Sequence, residues 1–245
     1  MGLLGNMNTI VEDTTSSIIN TKQLMDSQGI TTPFVTKTVL ASLIAGLSLV
    51  SNSQEGVIGS MLVSPVGGPI ITLVTAFLTN NFTGMKNSIL QFSLASVIMF
   101  STGVAIGKIF EDEEPTHEMK RRYSKPNKYT VYTAIIIGAC LYFATQTKDG
   151  SIGESIGAGI AISLLPPIVN GGLTLMKKQY DPEKLTDEEK ELVSKQQYIG
   201  LTKDDKRDNI IYSLSISAYN ILGIVIAGLL LNQFNKSGSL VSLGF

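Results

Sequence analysis

Six stretches of the chain are mostly apolar and carry no charge, and polar or charged segments separate them. A helix needs roughly 20 such residues to cross the ~30 Å hydrocarbon core of a bilayer. The sequence therefore predicts an all-α integral membrane protein with about six transmembrane helices. The predicted spans are Thr38–Gln54, Val57–Leu78, Asn87–Gly107, Tyr129–Thr147, Ser155–Met176 and Asn209–Asn232.

The polar segments divide the chain around these spans, and the second charged loop carries helix start signals of its own. Asp181-Pro182 is one such signal, and Thr186 to Glu189 fits a capping box. Pro33 is expected to open the first helical element. In chain order we predict a polar, weakly amphipathic N-terminal segment at 1–34, a first membrane repeat at 35–110, a charged loop at 111–128, a second membrane repeat formed by 129–177 and 208–234, a charged loop with a short helix at 178–207 and a C-terminal tail at 235–245.

The basic residues are concentrated in two segments, 108–128 and 177–207, which together hold 14 of the 19 Lys and Arg residues. Loops rich in Lys and Arg stay in the cytoplasm. The sequence therefore predicts a multi-pass protein of the cell (inner) membrane, with both charged loops cytoplasmic and both termini on the opposite side.

Two of the predicted spans contain residues that a regular helix tolerates poorly. The second span carries SPVGGP at 64–69, and the fifth carries PPIVNGG at 166–172. Proline removes a helical N–H and clashes with the preceding turn, and glycine weakens a helix interior. We therefore predict that both spans are broken. The alternative is that these residues only kink the helices and allow close packing.

A broken helix frees backbone N–H and C=O groups, which lipid cannot satisfy. Such a break must be buried in protein or line a watery cavity, so we predict a site for a small solute or ion at the two breaks. The predicted site residues are Ser64, Pro65, Gly67, Gly68, Pro69, Pro166, Pro167, Asn170, Gly171 and Gly172. The neutral side chains that complete it are Gln91, Ser93, Ser96, Tyr219 and Asn220.

The two halves of the chain align with each other at several positions. Thr38-Val39 aligns with Thr130-Val131, and Ile89 aligns with Ile210. Each half contains three spans, an odd number, so the sequence predicts two inverted three-helix repeats with the broken spans in matching positions. Inverted repeats with discontinuous helices are typical of transporters.

One carboxylate stands at the start of each predicted broken span, Glu55 before the second and Glu154 before the fifth. Acidic residues at a helix N-terminus stabilise the helix dipole. The alternative is a role in gating or proton coupling. The sequence leaves both interpretations open.

The remaining composition argues against several classes of function. The chain has no nucleophile elbow, phosphate loop or metal-ligand cluster, so we expect no enzyme activity, no metal and no cofactor. His117 lacks a second ligand at i+4, and we expect the charged loop around it to be solvated. The net charge of −1 offers no basic surface for nucleic acid.

The expected partners are the lipid bilayer, a solute and further copies of the chain. A bundle of six helices is thin, which favours a homo-oligomer. The small-residue pairs Ala41/Ala45 and Gly103/Gly107 are candidate contact faces.

The run VIGSMLVSPVGGPI, followed about a hundred residues later by GAGIAISLLPPIVNGG, resembles the domain-of-unknown-function family 389. These are polytopic membrane proteins, mostly bacterial and archaeal. The resemblance implies an all-helical membrane domain and carries no established activity.

We therefore expect a small oligomeric transporter or channel with its solute site at the broken helices. The alternative is a structural or assembly protein of the membrane that acts as a scaffold through its cytoplasmic loops.

Overall fold

A computed structural model of the protein describes residues 29–146, 152–194 and 200–236. The elements in chain order are α1 (Thr32–Val50), α2 (Gln54–Val63), α3 (Gly67–Leu78), α4 (Phe82–Ile109), α5 (His117–Arg121), α6 (Lys128–Gln146), α7 (Ile152–Met176), a 3-10 helix (Pro182–Lys184), α8 (Asp187–Ser194) and α9 (Lys203–Lys236). The all-α prediction is thus confirmed for the described residues. Most of the polar N-terminal segment and residues 237–245 of the predicted C-terminal tail lie outside them, while Asn235 and Lys236 belong to α9.

Local sequence signals explain where α1 begins and ends. The side chain of Thr31 accepts a hydrogen bond from the Phe34 N–H at 3.3 Å, and Pro33 occupies the first turn, where a missing N–H costs nothing. After the helix, Asn52 adopts a left-handed backbone conformation with φ of 57°, which asparagine tolerates well. The helix therefore begins before the predicted Thr38, and Pro33 opens it as predicted.

The second charged loop contains the short helices that its start signals predict. The Asp181 side chain accepts a hydrogen bond from Glu183 N at 3.1 Å and caps the 3-10 helix. Helix α8 begins directly after Thr186, whose carbonyl accepts from Lys190 N at 2.9 Å.

Three helices are long and apolar enough to cross a membrane within the described parts of the chain: Thr32–Val50, Phe82–Ile109 and Lys203–Leu230. The bent pair Gln54–Val63 and Gly67–Phe77 makes a fourth if it forms one span. The length and apolar composition of these helices indicate a membrane protein. The number of six crossings and the inverted repeat stay predictions.

The predicted break in the second span is confirmed. Helix α2 ends at Val63, α3 begins at Gly67, and the two are bent by 52°. Pro65 and Pro69 stand four residues apart, so in a continuous helix they would remove hydrogen bonds in two successive turns. Pro69 then falls in the first turn of α3, where helical N–H groups have no intrahelical partner. The chain can start a new helix there without losing a bond.

The predicted break in the fifth span is wrong, because α7 runs without interruption through Pro166 and Pro167. The adjacent prolines leave the carbonyls of residues 162 and 163 without their helical N–H donors. Helix α9 also supplies donors nearby: Ser213 Oγ donates to Pro167 O at 2.8 Å, and Ser217 Oγ donates to Leu164 O at 3.2 Å. These two bonds hold the turn that contains the prolines against α9.

Helices α4 and α7 pack with their backbones in direct contact. A Cβ atom built at Gly103 would lie 2.2 Å from Val169 O, and one at Gly172 would lie 2.2 Å from Phe100 O. Only glycine fits at these two positions, because both clashing atoms belong to the main chain. Close approach of this kind is how helices associate where lipid removes the hydrophobic driving force.

The small-residue pairs expected to form faces between copies of the chain are used inside it instead. Gly103 and Gly107 contact α7, and Ala41 and Ala45 are fully buried in the core. That part of the oligomer prediction is wrong. The prediction of a homo-oligomer as such remains untested.

Contacts between residues fix the relative directions of several helices. Gly46 of α1 lies beside Ile106 of α4, and Gln91 near the start of α4 donates to the carbonyl of Gly29 just before α1 at 3.0 Å. Helices α1 and α4 are therefore parallel. By the same reasoning α7 is parallel to α4, while α9 runs antiparallel to α7, since Ser213 and Ser217 pair with Pro167 and Leu164 in reverse order.

Helix α6 completes this pattern of directions. Gly223 of α9 lies against Ala134 of α6, and Ala227 lies against Gly138 four residues further along. Helices α6 and α9 are therefore parallel to each other and opposed to α1, α4 and α7.

Candidate functional site

A cavity of about 710 Å³ opens at the end of the bundle where the charged loop 111–128 lies. The half-helix α2, the charged loop, α6, α7 and α9 all contribute to its walls. Its lining residues are Gln54, Ile58, Met61, Glu118, Arg121, Arg122, Asn127, Tyr129, Thr130, Thr133, Ile137, Pro167, Ile216 and Asn220.

The cavity extends well into the helical bundle. Its lining on α6 runs from Asn127, just before the helix, to Ile137, a distance of about 15 Å at the helical rise of 1.5 Å per residue. Charged and polar side chains surround the mouth, whereas Ile137, Ile216 and Pro167 lie further in. The cavity therefore has charged and polar residues at its mouth and apolar residues where it reaches Pro167 of α7.

The charged loop is held against the bundle, so the expectation that it is solvated is wrong for its central part. Thr116 Oγ1 donates to Leu49 O at 2.5 Å, and the Glu118 N–H donates to Asn52 Oδ1 at 2.9 Å. Helix α5 buries Glu118 and Met119. These contacts place one side of α5 at the mouth of the cavity.

Glu118 and two arginines form a compact ionic group at the mouth. Glu118 is only 4% exposed, and its two oxygens accept from Arg121 Nη1 at 3.1 Å and from Arg122 Nη1 at 2.6 Å. Burial would raise the pKa of this carboxyl, but the hydrogen bonds and charges of Arg122 and Arg121 outweigh that effect. The pKa therefore lies below the ordinary value of 4.5, and Glu118 is an anion at neutral pH.

The charges of the loop are separated in space as well as along the sequence. Segment 111–128 contains five acidic and five basic residues. Glu111 pairs with Lys108 at 2.7 Å and Asp112 pairs with Lys178, both away from the cavity lining. All five basic residues of the loop lie between 120 and 128. The basic half of a nominally neutral loop thus borders the cavity mouth.

Lys177, directly after α7, connects the end of that helix with the end of α4 and the start of α9. Its Nζ donates to Phe110 O at 2.8 Å and to Glu113 O at 2.6 Å, and its own carbonyl accepts from Lys206 Nζ at 2.8 Å. A cation at helix C-termini is favoured by the helix dipole. Burial lowers the pKa of Lys177 below 10.5, against the opposing charges of Glu113 and Asp112.

The residues predicted around the first break are packed into the protein. Ser64 is buried, and Val66 at the centre of the break is completely inaccessible. Gly67 and Pro69 are also buried, while Pro65 and Gly68 are half-buried. None of them belongs to the lining of the described cavity. The break therefore shapes the site by orienting α2, whose residues do line it.

The residues predicted on α7 fall into two groups. Pro167 lines the cavity, whereas Gly172 lies against the backbone of α4 and Gly171 lies between Phe100 of α4 and Leu214 of α9. Pro166 is buried. Asn170 is fully buried and does not line the cavity, but its Nδ2 donates to Met119 O at 3.1 Å and so connects α7 to the charged loop.

The amide oxygen of Asn170 is one of four buried side-chain atoms that have no hydrogen-bond partner among the described residues. Its Nδ2 also donates to Ser213 Oγ at 3.4 Å.

The other predicted residues are more scattered. Glu55 is exposed in the first turn of α2, where its Oε2 accepts from Ser53 Oγ at 3.3 Å. Glu154 lies in the first turn of α7, and its side chain is outside the described part of the structure. Of the neutral polar residues, Asn220 lines the cavity, Ser96 borders a separate apolar groove, and Gln91 is occupied with the start of α1.

The sequence interpretation missed the arginines as site residues. Arg121 and Arg122 were expected to be part of a solvated loop, because their position gives no sign of burial. The available signal was the order of charges, with four acidic residues first and five basic residues last. That order allows the two halves of the loop to face different surroundings.

The family model of a domain of unknown function (DUF389) matches residues 61–226, which is more than half of the chain. The match takes in the break, the charged loop, α7 and most of α9. No curated protein and no solved structure matches the chain. The resemblance found in the two proline and glycine motifs is thus confirmed, and the chain belongs to the DUF389 family.

Proposed function

We propose that this protein conducts a small solute or ion across a membrane, through a path that begins in the cavity at its charged end. The observation that carries the proposal is the cavity itself, which has polar walls at its mouth and reaches Pro167 within the bundle. Solute sites in transporters lie where a discontinuous helix borders a watery space, and α2 is half of such a helix.

The packing of the broken helix supports this proposal over a simple kink. Val57, Met61 and Val66 belong to the same buried core as Leu164 and Val169 of α7. The bend therefore lies within the protein, where its freed backbone groups can be accommodated. The opposed directions of α1 and α6 also agree with an inverted arrangement of six crossings.

The charged loops belong in the cytoplasm in this proposal, because they hold most of the Lys and Arg residues. The cavity then opens towards the cytoplasm. A solute would enter between α2 and α6, and the second half of its path would require a movement of helices, as alternating access does.

The test compares two bulky substitutions on neighbouring residues of α6. Ile137 lines the cavity, whereas Ile136 is 63% exposed on the outer surface. The variants Ile137→Trp and Ile136→Trp are purified, checked for folding by circular dichroism and reconstituted in liposomes. Stopped-flow light scattering then follows shrinkage and recovery in glycerol, potassium chloride, potassium phosphate and sodium succinate.

We expect the wild type and Ile136→Trp to accelerate recovery in at least one of these solutes, and Ile137→Trp to slow it. Equal rates in the two variants would contradict a path through the cavity. Absence of any protein-dependent permeation would favour the scaffold function instead.

A further inference from the structure

We infer that the mouth of the cavity binds an oxyanion, a phosphate or carboxylate group, between the guanidinium groups of Arg121 and Arg122. This inference names the substrate class of the conduit and rests on the proposed function for its physiological meaning. The binding itself is a separate claim and is measured without any flux.

Arg121 and Arg122 carry more N–H donors than their contacts with Glu118 use. A guanidinium carries five N–H donors in a planar fork that matches phosphate and carboxylate oxygens. Arg121 donates only through Nη1 to Glu118, and Arg122 donates through Nη1 to the side chain and carbonyl of Glu118. Among the described residues, Nε and Nη2 of both arginines have no protein acceptor.

The charged side chains that line the cavity sum to a net positive charge. Glu118 is the single acidic residue among the described lining residues, against two arginines. Its two oxygens are already engaged by those arginines. The group therefore keeps one net positive charge beside a cavity large enough for a small organic anion.

Helices α2 and α6 have the positive ends of their dipoles at the cavity mouth. Gln54 is the first residue of α2, and Asn127 lies directly before α6, so both helices begin at the cavity mouth. Ser53 and Asn127 cap first-turn N–H groups of these helices, so the anion gains from the positive ends of the helix dipoles rather than from those N–H groups. Glu55 is exposed in the first turn of α2 and opposes this effect, but it does not line the cavity.

The neighbouring cations extend the positive field outwards. Lys120, Lys125 and Lys128 are exposed on the same half of the loop. A mouth of this kind raises the local concentration of anions and guides them inwards. Two sources supply the same chemistry, namely a free anion from the cytoplasm and the headgroup of an anionic lipid.

The experiment uses a fluorescent reporter that the sequence makes available. The chain contains no tryptophan, so Tyr129→Trp at the mouth introduces a single one. The full-length protein is placed in phosphatidylcholine nanodiscs and titrated with inorganic phosphate at constant ionic strength. The tryptophan emission is recorded for this reporter alone and in combination with Arg121→Gln, Arg121→Lys or Lys120→Gln.

Lys120→Gln is the matched control, since it removes the same charge from the same helix at a residue outside the cavity lining. We expect saturable phosphate binding, weakened about tenfold by Arg121→Gln and by less than about twofold by Lys120→Gln. Arg121→Lys keeps the charge without the fork and should give an intermediate affinity.

Equal weakening in Arg121→Gln and Lys120→Gln would overturn the inference, because it would indicate diffuse surface charge. The absence of any saturable response in the reporter protein would overturn it as well. Nanodiscs that also contain phosphatidylglycerol separate the two sources. If phosphatidylglycerol lowers the phosphate affinity of the reporter protein but not that of its Arg121→Gln variant, the occupant is a lipid headgroup. If phosphatidylglycerol leaves the phosphate affinity of the reporter protein unchanged, the occupant is a free anion.

Discussion

Replacing Gly172 by alanine tests the contact between α4 and α7. The added Cβ atom would lie 2.2 Å from Phe100 O, 2.8 Å from Val104 N and 3.0 Å from Gly103 C. All three atoms are main chain, so no side chain can rotate away. To reach an ordinary contact of 3.4 Å, the helices must separate by about 1.2 Å along this line.

The expected cost of Gly172→Ala is about 2–3 kcal/mol, since overpacking a well-packed interface costs about 1–3 kcal/mol and this clash involves backbone on both sides. Such a loss lowers the melting temperature by on the order of 5 °C. Gly171 provides the control, because a Cβ atom there would lie 3.5 Å from the side chains of Leu214 and Phe100. We expect Gly171→Ala to stay within about 1 kcal/mol of the wild type.

The measurement is thermal unfolding in detergent, followed by circular dichroism for the wild type and both variants. Two adjacent glycines should then give different results for the same chemical change. If Gly172→Ala melts together with Gly171→Ala, the two helices are not in backbone contact, and the interface described above is incorrect.

Three further outcomes follow from the cavity and its charged end. In a Cys140→Ser background, we expect Thr133→Cys to react quickly with a membrane-impermeant thiol reagent added on the charged-loop side. Ile136→Cys should be protected from the reagent by lipid, and equal labelling of the two variants would contradict the cavity. The Glu118 carboxyl has a lowered pKa, so its ion pairs stabilise the loop above pH 4.5 and are lost as the pH falls through the folded pKa. The melting temperature in detergent, followed by circular dichroism, should therefore fall between about pH 6 and about pH 3, and it should fall less in Glu118→Gln. Lys177→Met leaves two main-chain oxygens without their donor and should cost about 2–5 kcal/mol in thermal unfolding; an unchanged melting temperature would show that the three helix ends hold together without it.

The first break could be predicted from the sequence because its cause is local. Pro65 and Pro69 interrupt successive turns whatever surrounds them, and the two glycines between them allow the chain to bend. The continuity of α7 could not be predicted in this way. The turn that contains the prolines packs against α9 and accepts hydrogen bonds from Ser213 and Ser217, which stand more than 40 residues away along the chain.

The candidate site was predicted only in part, for a similar reason. Pro167 and Asn220 were identified because prolines and amides inside apolar spans are conspicuous. Arg121 and Arg122 were not, because a charged loop between two spans reads as solvent-exposed. Their placement follows from the hydrogen bonds that Asn52 and Asn170 make with the loop, and sequence spacing contains no record of such distant contacts.

The glycine contact between α4 and α7 limits how this molecule can move. Helices α4 and α7 touch through their backbones at Gly103 and Gly172, so they cannot slide past each other without collision. We expect the two helices to move together as one rigid unit. Under the proposed function, any motion that opens a far exit has to come from helices around this pair. We propose that the bent pair α2 and α3 provides this motion by shifting as a whole, since the continuous helical bonding between them ends at Val63 and resumes only at Gly67.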